Sequence, residues 1–485
     1  MSERLRPRDV ALLAEESAST PMHNATVEIF EPGESGFDYA ELGRLVQERI
    51  SFVPRYRQRI QTVPGRIANP VWVDDDNFDV GYHVRRSALP RPGSLDQLRE
   101  LVARIVSRPL DRSRPLWEIY FVEGLDGGRV ALLSKSHQVL VDGIHTVDLS
   151  QVLLDTSPDP KVLGADGWRP HGRPSPFTLM AGAVRDSILD RSTIVDTTRS
   201  ASGAVLRSAG GAARSAGRVV DALANRTVTP ESPISGQLSQ QRRVVAVRTA
   251  LADYRKVREA HGGTVNDVIL ATVTGGLRSW LMTRGESMRG IRQIRAVVPV
   301  SVIDDELEAT SLGSQIAPHF VDLPVGEASP AVRLHQVSYS FQTHEDTGRA
   351  VAASRLTSIS GFAPASFHAI GSRLAAAERR SYQLNVTNVP GPQAPLYAAG
   401  ARMVETYPVL PLLDGHPLAI GVTSYDGHVY FGITADRDIL PDADLLGVCI
   451  QEALDELLDS AAGGRTRAPR GRRKRKQASR QEPGS

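Results

Sequence analysis

Residues Trp117–Leu125 (WEIYFVEGL), Asp126-Gly127-Gly128 and Arg129–His137 (RVALLSKSH) are two β-rich runs around a turn signal. Tight hairpin turns need positive φ, which Asp-Gly tolerates, so the stretch predicts an antiparallel hairpin. Its second strand runs into Gln138-Val-Leu-Val-Asp142-Gly143 and then a helical pattern, roughly Ile144 to Leu154. A histidine at the strand end can reach a cleft, and its pKa suits proton transfer near neutrality. Asp142 can cap the following helix or hold the loop, while Gly143 supplies backbone freedom. Taken alone, a His–Asp pair is also common in structural roles, and both readings stay open. His145, eight residues after His137, reads as a core or surface histidine.

A second hairpin of the same style is expected where Leu418–Tyr425 and His428–Thr434 flank Asp426-Gly427. Two such hairpins in 485 residues, more than one ordinary core accommodates, suggest two related α+β domains. The expected boundaries are residues 1–175, an Ala/Gly/Arg-rich helical connection over 176–236, a second domain over 237–462, and a basic tail over 463–485. In the connection, Arg199, Arg207, Arg214, Arg218 and Arg226 share about half the circumference of a helix. That pattern suits a solvated interdomain helix or a basic amphipathic element on a lipid surface. In the second domain, Gly263–Trp280 reads as a helix with Thr264 or Asn266 near its N-cap and Asp267 complementing the dipole. Arg292–Val302 reads as a buried strand interrupted or ended by Pro299, and Gln451–Leu458 as part of a final helix.

Composition narrows the function. The chain is 41% hydrophobic and 23% charged, with no uninterrupted apolar run long enough to cross a bilayer. The charged N-terminus has no apolar signal region, so a cytoplasmic location is expected. Cys449, the single cysteine, excludes an internal disulfide and a cysteine zinc cluster and is expected to be a buried thiol. Residues 465–485 hold nine Lys/Arg and one Glu; with +2 for the chain and +8 here, residues 1–464 carry −6. The tail reads as disordered, either solubilising or drawn to anionic lipid at about 1 kcal/mol per basic residue. No aromatic residue is interleaved for base stacking, so nucleic acid is not the expected partner. Phosphate-loop, dinucleotide and metal-ligand patterns are absent from the sequence, and no cofactor or metal is expected.

Five blocks, in order, resemble a known family. Pro21-Met22-His23 with Ala25–Phe30, Pro115-Leu116-Trp117-Glu118, His137–Gly143, Asn266-Asp267-Val268 and Asn388-Val389-Pro390-Gly391-Pro392 are similar to those of bacterial wax ester synthase/diacylglycerol acyltransferases, particularly the actinobacterial triacylglycerol synthases. The resemblance implies two chloramphenicol-acetyltransferase-like domains with a tunnel between them. Acyl-CoA would enter from one side and diacylglycerol or a fatty alcohol from the other. The family motif HHxxxDG implies that its second histidine takes the acceptor's proton, with the aspartate orienting the loop. Here that second residue is Gln138, and glutamine is no general base. Three assignments follow. His137 serves as the base, re-aimed by a bulge or the strand end, and this is the expectation carried forward. Alternatively Gln138 positions the acceptor or stabilises the oxyanion, or the site is catalytically weak. Gly143, Asn266, Asp267, Pro115, Trp117 and Asn388 are expected to support the tunnel. The basic tail and the Arg-rich connection also make peripheral contact with a membrane or lipid droplet surface an expected partner. Competing functions are a non-catalytic acyl-CoA or lipid-surface binder and an acyltransferase acting on a carrier-bound natural product.

Overall fold

The computed structural model describes residues 3–33, 36–140, 149–159, 168–172, 174–189, 234–286, 292–301, 316–345, 364–378 and 381–463. Asp142, Gly143, His145, the arginines between 199 and 226, and the basic tail lie outside the described residues.

Two six-stranded mixed sheets organise the chain. The strands are β1 (His23–Glu31), β2 (Gln58–Gln61), β3 (Val71–Asp74), β4 (Val84–Ala88), β5 (Trp117–Glu123), β6 (Val130–His137), β7 (Arg242–Ala250), β8 (Ile294–Ser301), β9 (Ile316–Leu323), β10 (Leu384–Pro390), β11 (Tyr397–Ala398), β12 (Ala401–Val409), β13 (Leu418–Tyr425) and β14 (His428–Asp436). The first sheet runs β11-β12-β1-β6-β5-β4 and the second β7-β14-β13-β10-β8-β9, with β2 and β3 a separate pair. The expected division of the chain therefore does not follow the sheets: β11 and β12, from beyond residue 396, complete the first sheet by pairing β12 antiparallel to β1. At its far end β12 rests on the second sheet, where a Cβ at Gly432 would fall 1.7 Å from the Pro408 carbonyl oxygen. Glycine at 432 is what permits that crossing.

Both hairpins form. Asp426 and Gly427 have φ of 42° and 77°, and Tyr425 pairs directly with His428, the two-residue turn that Asp-Gly favours. The β5–β6 pair is antiparallel, but its connection spans residues 124–129, with Gly124, Gly127 and Gly128 all at positive φ. Strand β8 continues through Pro299, which faces Pro318 of β9. Its pairing with β10 has already stopped at Val297, so the missing N–H of Pro299 costs no bond on that side.

Helix Val265–Thr283 starts as expected, with Thr264 as the cap. The Thr264 hydroxyl accepts from the Asp267 N–H (3.1 Å), and Asp267 Oδ2 accepts from the Thr264 N–H (2.8 Å). This helix packs with Leu251–His261 and the final helix Ala443–Ala461 in one core with Leu384, Val386 and Val422 of the second sheet. Cys449 is buried there, its thiol pushed up to about 11 by burial. Helix Pro364–Ala377 packs against β8, β9 and β10 and also against β1 of the first sheet. It therefore bridges the two halves. Among the described residues, no helix is long and apolar enough to cross a membrane.

Candidate active site

Strand β6 presents two faces. Lys135 and His137 alternate with Ser134 and Ser136, and the register with β1 runs unbroken from Phe30↔Val130 to His23↔His137. No bulge re-aims His137, which corrects that part of the sequence expectation. Its ring is fully buried and directed at the N-terminal segment. The Val139 N–H donates to His137 Nδ1 (3.1 Å), which places the ring proton on Nε2, 3.6 Å from Glu16 Oε2. The Arg112 guanidinium donates to the same oxygen (2.6 Å), and the Met22 N–H donates to Glu16 Oε1 (3.1 Å). Burial alone would raise the Glu16 carboxyl; His137, Arg112 and the Met22 N–H more than offset it and hold it at about 2. On this same face Lys135 Nζ donates to the carbonyls of Ile105 (3.2 Å) and Arg108 (2.5 Å), and His23 Nε2 donates to Val106 O (2.9 Å). Burial lowers Lys135 to about 8.

The opposite face borders a narrow pocket. Asn24 and Thr26 of β1 stand across from Ser136 and Ser134 of β6, with Trp117 and Ile119 of β5 beyond them. Tyr56 and Leu149 close one side and His368, from the bridging helix, another. Both amide atoms of Asn24, Ser134 Oγ and His368 Nε2 are buried with no hydrogen-bond partner among the described residues. Buried polar atoms are normally paired, so a cavity collecting several unpaired ones fits a polar ligand that pairs them. Gln138 opens the turn after β6, is fully buried, and leaves both its amide oxygen and nitrogen without a partner.

The other sequence blocks fall in distinct places. Trp117 lines the pocket and is also a packing anchor: its Nε1 donates to Tyr56 O (2.7 Å), and His83 stacks on it at 4.5 Å. Pro115 is buried just before it and its carbonyl accepts from the Trp117 N–H (3.0 Å). Asn388 Nδ2 donates to Asn266 Oδ1 (2.8 Å), joining two blocks 122 residues apart. That pair is not among the residues lining the pocket, and Asp267 is spent on the helix start. His368 was missed. It stands in Pro364-Ala-Ser-Phe-His-Ala-Ile-Gly371, which has no ligand spacing or motif. The one usable hint was Gly371, where a Cβ would meet Pro299 Cγ at 2.6 Å and Thr387 Cγ2 at 3.1 Å, so the helix lies close on the sheet.

Fold and site together define a two-sheet acyltransferase-type architecture with its motif strand at the junction of the halves. The pattern of the wax ester synthase/diacylglycerol acyltransferase catalytic domain matches residues 5–269, and that of the WS/DGAT C-terminal domain matches residues 312–458. The chain belongs to this family. It is 39% identical over 260 residues to a probable diacylglycerol O-acyltransferase, tgs3, of Mycobacterium tuberculosis, covering 53% of this chain and 96% of that one. It is 32% identical over 413 residues to tgs1 of the same organism, likewise named a probable diacylglycerol O-acyltransferase, covering 85% and 86%. The wax ester synthase/diacylglycerol acyltransferase of Marinobacter aquaeolei VT8 superposes with a TM-score of 0.65 at 26% identity, covering 95% of this chain and all of that one. The first condensation domain of the CDA synthetase shares the fold, with a TM-score of 0.55 at 14% identity and coverage of 95% and 97%.

Proposed function

We propose that the protein is an acyl-CoA-dependent O-acyltransferase that esterifies diacylglycerol to triacylglycerol and also accepts long-chain alcohols to give wax esters. The observation that carries this is family membership over both halves, joined to a buried pocket of unpaired polar groups beside the motif strand. An acceptor hydroxyl and a thioester carbonyl are the kinds of group that would pair those atoms. Acyl-CoA is a substrate in this reading, and the chemistry calls for no cofactor. His137 holds the N-terminal segment through Glu16, and the Gln138 amide hydrogen-bonds the acceptor hydroxyl or the forming oxyanion. Asp142 and Gly143 order the loop that follows, and the Asn266–Asn388 pair braces the second half. In this reading the protein meets its lipid substrates peripherally, at a membrane or droplet surface.

The test is direct. Purified protein is incubated with labelled palmitoyl-CoA and diolein or hexadecanol, and the lipids are separated by chromatography. Labelled triacylglycerol or wax ester above a heat-killed control is expected. Its absence with both acceptors would overturn the reading in favour of a binding protein.

A further inference from the structure

The proposed reaction needs a proton acceptor, and among the described residues the motif does not offer one. Gln138 cannot take a proton. His137 points at Glu16, and its only lone pair accepts from the Val139 N–H. Among the described residues, one other imidazole lines the pocket: His368. It is 3% exposed and reaches the pocket from the bridging helix, which packs against both β1 and the turn Gln138–Leu140. Its Nδ1 lies 2.5 Å from the Thr387 hydroxyl, and Thr387 is itself fully buried on β10. The close seat at Gly371 holds the helix, and with it the ring, against that strand. With Nδ1–H donating to Thr387 Oγ1, the lone pair of Nε2 is left free, and Nε2 is the atom without a partner.

We propose that His368 is the catalytic base of this chain, supplied from the second half of the molecule in place of the motif histidine that Gln138 replaces. This rests on the acyl-transfer reading above. His368 Nε2 takes the acceptor's hydroxyl proton as that oxygen bonds to the thioester carbon and the carbonyl π electrons move to its oxygen. Collapse of that oxyanion breaks the C–S bond. The CoA thiolate leaves with the bonding pair and recovers the proton from Nε2–H. Thr387 acts as the positioning residue, setting the tautomer as the third member of a triad does. Burial holds the imidazole well below its usual range, at about 3, with no charged neighbour contributing. The ring therefore enters the reaction neutral, and the negative charge developing beside it favours its protonated form.

Asparagine is the discriminating substitution, because its amide nitrogen mimics Nδ1 and keeps the Thr387 bond while removing Nε2. With labelled palmitoyl-CoA and diolein or hexadecanol, His368→Asn is expected to lower kcat by roughly 100-fold or more while KM for palmitoyl-CoA stays within about threefold. Restoring the motif histidine should make His368 dispensable: Gln138→His combined with His368→Asn is expected to recover at least a tenth of wild-type kcat. That recovery would also show that the His368→Asn protein is correctly folded. In His368→Ala, added imidazole is expected to restore part of the lost rate, which a purely structural role would not allow. Active wild type with His368→Asn retaining more than a third of kcat overturns the assignment and leaves the acyl-transfer reading intact. An inactive double variant with no imidazole rescue also overturns it, pointing to a packing role. An inactive wild type with either acceptor removes both readings at once.

Discussion

The two faces of β6 are built from neighbouring residues, yet they are engaged differently. On one, Lys135, His137 and the adjacent His23 lead to Glu16 or to the carbonyls of Ile105, Val106 and Arg108, and only one ring nitrogen each of His137 and His23 lacks a hydrogen bond. On the other, the amide of Asn24, Ser134 Oγ and, across the pocket, His368 Nε2 find no partner among the described residues. A buried polar group without a partner costs on the order of 1–3 kcal/mol. A fold that keeps several at one place is less stable there than it could be, and that cost is recovered when a ligand binds. The charged face is therefore the scaffold and the quiet, uncharged face the site. Charge, the feature most visible in a sequence, marks the wrong side of the strand.

Changes on the two faces should separate activity from stability. The largest activity effect outside His368 is expected from Gln138→Ala. If the amide contacts the acceptor or the oxyanion, kcat falls by about 100-fold. Thermal unfolding should shift little or even upward, because two unpaired amide atoms no longer need burying. A large drop in Tm without loss of kcat would reverse the assignment of the faces.

Much of this was legible beforehand, and the reasons for the rest are physical. The Asp426-Gly427 hairpin and the Thr264/Asp267 capping box are local devices, so short spacings carried them. Pairing of β12 with β1 links residues nearly 400 apart, and no local pattern announces it. The motif was legible as a motif, but its orientation was not. A two-residue alternation turns His137 away from the pocket, and the sequence offered a bulge as an escape that the register does not contain. His368 was invisible because one histidine among Ala, Phe and Ile reads as core. Only its placement against the first sheet gives it a neighbourhood.

On the scaffold face, Glu16→Gln is expected to leave kcat within about threefold but to lower stability by about 2 kcal/mol at pH 7, since Arg112 and His137 lose their carboxylate. The folded carboxyl sits at about 2 against an ordinary 4.5. Its contribution is thus complete above about pH 4.5 and disappears as pH falls toward 2. Urea unfolding across that window should show a steeper acid loss in the wild type than in the variant. Parallel curves would mean that the Glu16 cluster does not form.

The smallest effect, about 1 kcal/mol, is expected from Lys135→Met, which keeps the apolar stem and removes the ammonium group. In the fold this lysine sits at about 8, below its ordinary 10.5, because burial penalises the charged form. Between those values the unfolded chain binds more protons than the folded one, so this group makes stability rise with pH from about 8 to 10.5. Removing it should flatten that rise. Near neutrality two effects oppose each other: the variant no longer buries a charge, but it takes the ammonium donor from the Arg108 carbonyl and from the Ile105 carbonyl, which keeps the Arg108 N–H, at the end of helix Leu95–Val106. Urea unfolding at pH 7 and pH 10 separates them. A variant less stable than wild type at both, by the larger margin at pH 10, shows that the lysine holds that helix end. A variant more stable at pH 7 shows that the buried charge outweighs its hydrogen bonds, so that even the scaffold face is held at a cost.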